Sequence, residues 1–233
     1  MTDRRVWLFD IDGTLLSTDG AAREAFSRAL GEVFGVDDDL GGIAFAGRTD
    51  PLILGDVLAR HGLGPGPAER ERFWRSTYAH MAALLRPERG RVLPGVEPLL
   101  ARVAAEPAWT AALLTGNNAE MARIKLGHFG LERWFAFGAF GDEAPDRDRL
   151  ARVAVARAAE RLGAAPWQCV VIGDTEHDIA CARAAGAWAV AVATGTVSAA
   201  ALEARRPDLL LADLSEPERL LAFVRDLPAA RPA

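Results

Sequence analysis

The chain has 233 residues, half hydrophobic and a quarter charged, which suits one large domain or a core carrying a smaller insert. Its net charge of −5, with no block of like charges, argues against a nucleic-acid footprint or a membrane-surface patch. Two cysteines, Cys169 and Cys181, are too few for a disulfide framework or a zinc site and read as buried reduced thiols.

The N-terminal stretch has no apolar signal region, because Asp10 and Asp12 interrupt it, and no later run approaches membrane-spanning length. A cytoplasmic protein with no membrane and no nucleic-acid partner is therefore expected. Short apolar runs at 6–10, 111–115, 169–174, 188–194 and 209–214 read as buried strands. Helical stretches at 95–107, 118–130, 147–163 and 177–186 lie between them. That alternation predicts a doubly wound parallel α/β sheet of Rossmann-like type, covered on both faces.

Residues 17–89 break the alternation and read as helical throughout. Ala22, Phe26, Ala29, Leu30 and Val33 recur on one helical face, as do Phe73, Thr77, Met81 and Leu84 after the Gly/Pro-rich connection HGLGPGP. The expected division is a core of residues 1–16 and 90–233 with a helical insert of residues 17–89. The closing LPAARPA reads as a frayed tail.

In a doubly wound sheet, ligands sit beyond the carboxyl ends of the strands. Here those ends are polar: Asp10-Ile11-Asp12-Gly13-Thr14, then Thr115-Gly116-Asn117, then Gly173-Asp174-Thr175-Glu176-His177-Asp178. On extended backbone, Asp10 and Asp12 face one side while Ile11 turns to the core. Two carboxylates sharing a site call for a cation or a proton, hence a metal-bound nucleophile and a general acid/base. Gly13 permits a tight turn whose amides can face an anion, and Thr14 can steady it. The Thr115-Gly116 pair with Asn117 or Asn118 as helix cap offers a phosphate seat or an ordinary capped loop. Asp174 and Asp178 supply hard oxygens suited to Mg²⁺, and His177 reads as an exposed loop residue.

These three segments, in this order and at these strand ends, resemble motifs I, II and IV of the haloacid dehalogenase superfamily. The insert resembles its helical C1-type cap, and the whole chain is similar to the phosphoglycolate phosphatase-like branch. The resemblance implies a Mg²⁺-dependent phosphatase hydrolysing a small phosphorylated metabolite. Asp10 is then the nucleophile that becomes an aspartyl-phosphate, and Asp12 the acid that protonates the leaving oxygen and later activates water. Thr115 would bind the phosphoryl group with Gly13, Gly116 and Asn117 around it. Mg²⁺ would be held by Asp10, the Asp12 carbonyl and Asp174, with Asp178 as a ligand or an orienting partner.

Many family members carry a phosphate-binding lysine in a Lys-Pro-x-Pro stretch before motif IV, but here that stretch reads Asp142-Glu143-Ala144-Pro145-Asp146. No cation stands there. Lys125, on the helix after motif II, is the only lysine among 27 basic residues and is assigned that role. Asp142 and Asp146 are loop caps, or Asp142 orients Lys125 or a metal-bound water. In the insert, Gly47, Arg48 and Thr49 form a loop before a helix and are the candidate specificity residues, with Arg48 available to a substrate carboxylate or second phosphate. A phosphomutase shares every core motif and is the alternative. A haloacid dehalogenase is disfavoured because it needs neither Asp12 nor Asp174. Either a monomer or a homodimer fits.

Overall fold

In a computed structural model, which describes residues 4–228, the chain forms a six-stranded, all-parallel sheet with helices on both faces. The last five residues of the LPAARPA tail lie outside the described residues. The central strand β1 (Arg5–Phe9) runs beside β4 (Trp109–Leu114) and β6 (Cys169–Gly173). With β5 (Gly138–Ala139), β7 (Trp188–Val192) and β8 (Leu209–Leu211), the order is β5-β4-β1-β6-β7-β8. Chain order reverses at β1, so a crevice opens at the carboxyl ends of β1, β4 and β6.

The period of two in a strand separates two cores. Trp7, Phe9, Leu113, Val170 and Ile172 face one layer, while Val6, Leu8, Leu114, Cys169 and Val171 face the other. Both sides being apolar explains why the sequence shows unbroken hydrophobic runs here. Helices α4 (Val96–Ala105), α5 (Ala119–His128), α6 (Arg147–Leu162) and α7 (Glu176–Ala184) occupy the stretches expected from periodicity. The sequence reading omitted β5, α8 (Ala199–Ala204) and α9 (Pro217–Arg225). Cys169 and Cys181 are buried and free.

After β1 come β2 (Leu16–Ser17), then α1 (Ala21–Phe34), α2 (Asp50–Arg60) and α3 (Pro67–Leu84), then β3 (Arg91–Val92), which pairs antiparallel with β2. The three helices share their own core around Phe26, Leu30, Ile53 and Phe73, to which α5 contributes Met121. The expectation of helix throughout this segment fails at residues 35–49, which are irregular. Asp38 accepts the Leu40 N–H at 2.7 Å and Asp39 the Gly41 N–H at 2.6 Å. Such side-chain turns satisfy the backbone locally and compete with the helix, and the neighbouring glycines weaken it further.

Candidate active site

The carboxyl ends of β1, β4 and β6 border a cavity of about 620 Å³ whose other wall is built by residues 43–50 and α1. Asp10 and Asp12 both line it, whereas Ile11 is fully buried in the core, as the period of two requires. Two carboxylates one residue apart thus enter different surroundings.

Asp10 lies in a buried group with Asp174 and Asp178, an oxygen of each within 4.8 Å of the others. Burial lifts the Asp10 carboxyl to about 6 against the pull of Arg147, with Asp178 and Asp12 adding to the rise. Burial likewise lifts Asp174 to about 8, helped by the charges of Asp178 and Asp10. Around Asp174, the Thr14 hydroxyl donates to Oδ1 at 3.3 Å. Among the described residues the cation paired with this group is Arg147, with Nη2 3.1 Å from Asp10 Oδ1 and also bonded to Asp178 Oδ1. Burial works against the Arg147 charge, but Asp10 and Asp178 outweigh it and its pKa rises. Three buried carboxylates against one guanidinium leave negative charge that a hard divalent cation would neutralise, so the donor set fits Mg²⁺.

Asp12 meets a different partner. Lys125, 2% exposed, places Nζ 2.8 and 2.6 Å from the two Asp12 oxygens and 2.6 Å from Asn117 Oδ1. The Asn117 amide donates to Asp12 Oδ2 and to Thr115 Oγ1, both at 2.8 Å. Lys125 therefore reaches back along α5 to the strand ends, aided by its flexible four-carbon stem.

Several candidates sit otherwise than the sequence suggested. The Gly13 N–H, expected to face an anion, donates to Leu16 O at 2.9 Å, because the turn after β1 closes on itself. Thr14 steadies the turn through its N–H to Ile11 O at 3.3 Å, while its hydroxyl reaches Asp174. Thr115 is fully buried, its hydroxyl oxygen accepting from the Asn117 backbone and side chain. Asn118 holds the cap position of α5 without a side-chain cap; Asp142 accepts the Ala119 N–H at 3.2 Å there. Asp146 caps α6 through the Arg149 N–H at 2.8 Å, so both acids are caps. Asp178 accepts from the Thr175 N–H and hydroxyl as well as from Arg147. His177 is exposed, as expected.

In the loop before α2, Gly47 and Arg48 line the cavity, but Thr49 does not: it is 1% exposed and packs behind Gly116 against Gly141. Arg48 is paired with Asp56 of the helix that follows it, α2. Two close approaches bring this loop onto the core. A side chain at Gly47 would meet Thr175 Oγ1 at 2.6 Å, and one at Gly116 would strike the Arg48 carbonyl.

Two residues escaped the sequence reading. Arg147 stands one position past the Asp142–Asp146 stretch. Its signal was a basic residue at the first position of a helix, where the macrodipole disfavours positive charge unless acids compensate. Asp50, 7% exposed, lines the cavity from the first position of α2; its N–H donates to Gly116 O at 2.7 Å and its Oδ2 accepts the Asn118 N–H at 2.8 Å. Burial lifts Asp50 to about 7 despite Lys125 nearby.

Residues 5–186 match the family of haloacid dehalogenase-like hydrolases. The chain is 32% identical over 198 residues to fructose-1-phosphate phosphatase YqaB of Escherichia coli K12, covering 79% of this chain and 94% of that protein. It is also 32% identical over 187 residues to a phosphoglycolate phosphatase of Cereibacter sphaeroides ATCC 17025, covering 77% and 80% respectively. Among solved structures, a predicted phosphoglycolate phosphatase from Haemophilus somnus 129pt superimposes with a TM-score of 0.74 at 20% identity, over 95% of this chain and 99% of that one.

Proposed function

The chain belongs to the haloacid dehalogenase-like hydrolases, and from that premise we propose that it is a Mg²⁺-dependent phosphatase acting on a small phosphomonoester through an aspartyl-phosphate. One observation carries this reading. Asp10 and Asp12, two positions apart, are held by different machinery: Asp10 among buried acids beside Arg147, Asp12 between Lys125 and Asn117. Two carboxylates with separate environments can take separate roles, one attacking and one moving protons.

An Asp10 oxygen attacks phosphorus, splitting hydrolysis into two displacements. Arg147 fixes the Asp10 carboxylate in place. A phosphoryl group entering the cavity competes for the Lys125 donors, so that Lys125 turns toward the transferring oxygens and Asp12 is released to deliver a proton to the leaving oxygen. Asp12 then takes a proton from the water that attacks the acyl phosphate. Asn117 keeps Asp12 on the leaving-group side through this exchange. Asp10 and Asp174, with the Asp12 carbonyl, would hold Mg²⁺, and Asp178 would orient that set. When bound, the ion neutralises phosphoryl charge that a carboxylate nucleophile cannot approach unaided.

Residues 17–89 act in this reading as a cap over the cavity, pivoting about the β2–β3 pair and excluding water when closed. The close approach of Gly47 to Thr175 and of Gly116 to the Arg48 carbonyl supports a closed position in this reading. A small phosphorylated metabolite is the expected substrate of the names carried by the chain's relatives. Among the described residues no helix is long and apolar enough to cross a membrane.

The test is phosphate release from nitrophenyl phosphate by wild type and Asp10→Asn, each with Mg²⁺ and with chelator. Release that requires both Asp10 and Mg²⁺ supports the proposal. Equal release by Asp10→Asn, or release undiminished by chelator, overturns it.

A further inference from the structure

The cavity has two chemically unlike halves. Its floor holds the acids, Lys125 and Arg147; the opposite half is built by α1, the 43–50 loop and the start of β3. Three arginines line that second half, and each is engaged. Arg23 donates to the Ile43 carbonyl at 3.1 Å and lies over the Phe45 ring at 4.4 Å. Arg48 pairs with Asp56, and Arg91 with Asp19 at 3.2 Å. A second anionic group on a substrate would have to compete with Asp56 for Arg48 and with Asp19 for Arg91.

Asp50 is the group left with capacity. Its backbone N–H and its Oδ2 fasten it to Gly116 and Asn118, so the side chain is fixed relative to the floor. Among the described residues no donor reaches its Oδ1, and that oxygen is not among the fully enclosed unpartnered atoms. A nearly buried carboxylate therefore presents one open acceptor to the cavity. Such a group is poorly solvated and gains from any donor a ligand brings.

We infer that Asp50 is a specificity-determining residue that accepts a hydroxyl hydrogen bond from the esterified part of the substrate, which is therefore a sugar or polyol phosphate and not a carboxylate-bearing phosphomonoester. The inference rests on the phosphatase reading above and deepens it. A hydroxyl satisfies Oδ1, whereas a carboxylate brings a second negative charge against it in a cavity partly screened from water. Discrimination between the two is expected to be about 10- to 100-fold, the range for a hydrogen bond to a charged group.

The experiment measures kcat/KM at pH 8 with Mg²⁺ for sorbitol phosphate, glycerol phosphate, phosphoglycolate and nitrophenyl phosphate, in wild type and Asp50→Asn. Wild type is expected to favour sorbitol phosphate over phosphoglycolate by about tenfold or more. In Asp50→Asn the Asn118 N–H retains the carbonyl oxygen, so an NH₂ donor faces the cavity in place of an acceptor. The sorbitol-to-phosphoglycolate ratio should then fall about tenfold, mainly through a higher KM for sorbitol phosphate. A wild-type preference for phosphoglycolate, or a ratio unchanged in the variant, overturns the inference; should Asp50→Asn fail to fold, the wild-type preference decides alone. Nitrophenyl phosphate separates the two levels. Its turnover alongside a phosphoglycolate preference refutes the role of Asp50 and spares the phosphatase, whereas silence on all four substrates refutes both.

Discussion

Replacing Lys125 by methionine removes the ammonium while keeping a long unbranched side chain in nearly the same space. Three contacts of 2.6 to 2.8 Å disappear, two to Asp12 and one to Asn117. The stability and activity costs separate cleanly. Asn117 Oδ1 is left without its donor inside the protein, but the Asp12 side chain is 41% exposed and rehydrates. Destabilisation should therefore be about 1–3 kcal/mol, the cost of one orphaned polar group, or a fall of roughly 3–10 °C in Tm for a chain of this size. Activity loses a preorganised charged donor at the site of phosphoryl transfer, which is worth about 10²- to 10³-fold in kcat, or roughly 3–4 kcal/mol. Lys125→Arg should not rescue, because a planar fork cannot converge on three acceptors grouped around a single nitrogen. The assay is nitrophenyl phosphate turnover with Mg²⁺ beside a thermal melt of each variant. A Lys125→Met enzyme within about threefold of wild type in kcat would refute the placement of Lys125 in the reacting machinery.

Arg147→Met leaves Asp10 and Asp178 buried without their shared cation, and should cost about 3–5 kcal/mol in chelator. Mg²⁺ should recover part of that loss as a rise in Tm larger than wild type shows; equal Mg²⁺ shifts would argue against a shared electrostatic site. Gly116→Ala drives a methyl into the Arg48 carbonyl, so the 43–50 loop cannot seat on the core. If closure of residues 17–89 over the cavity is needed for chemistry and not for folding, the expected result is a kcat/KM at least about tenfold lower with no comparable loss of secondary structure by circular dichroism. Burial raises Asp50 from 3.8 to about 7. The folded state then holds a proton that the unfolded state has released between those values, so stability falls as pH rises through that window, by on the order of 4 kcal/mol for this group. Chemical denaturation of Asp50→Asn in chelator at pH 5 and pH 8 should show a smaller decline than wild type, and an equal decline would contradict the burial of a charged Asp50.

Much of this molecule is legible in one dimension. The unbroken apolar runs at β1, β4 and β6 reveal a sheet covered on both faces, because only a strand buried on both sides needs side chains of one kind throughout. The polar residues ending those runs mark the catalytic edge for the same reason, since they stand where the strand leaves its apolar cover. Spacing also places Asp10 and Asp12 together, through a period that every strand obeys. The unusual retention of Lys125 points to its position, and its reach back to Asp12 follows from stem length.

Other features depend on which distant segments meet. Asp50 acquires its meaning from Gly116 and Asn118, more than sixty residues away, and Arg147 from Asp10 and Asp178 on two other elements. The same dependence withdrew Thr49 behind Gly116 and committed the Gly13 amide to Leu16. Residues 35–49 read as part of the helices around them, but their glycines and local Asp side-chain bonds win over the helix there. Periodicity and strand ends are properties of neighbours along the chain, so the sequence determined the sheet, its polar carboxyl edge and the paired aspartates there. Burial, ion pairing and access to the cavity are properties of neighbours in space, so only the tertiary structure decided that Arg147 pairs with Asp10 and that Asp50 lines the cavity.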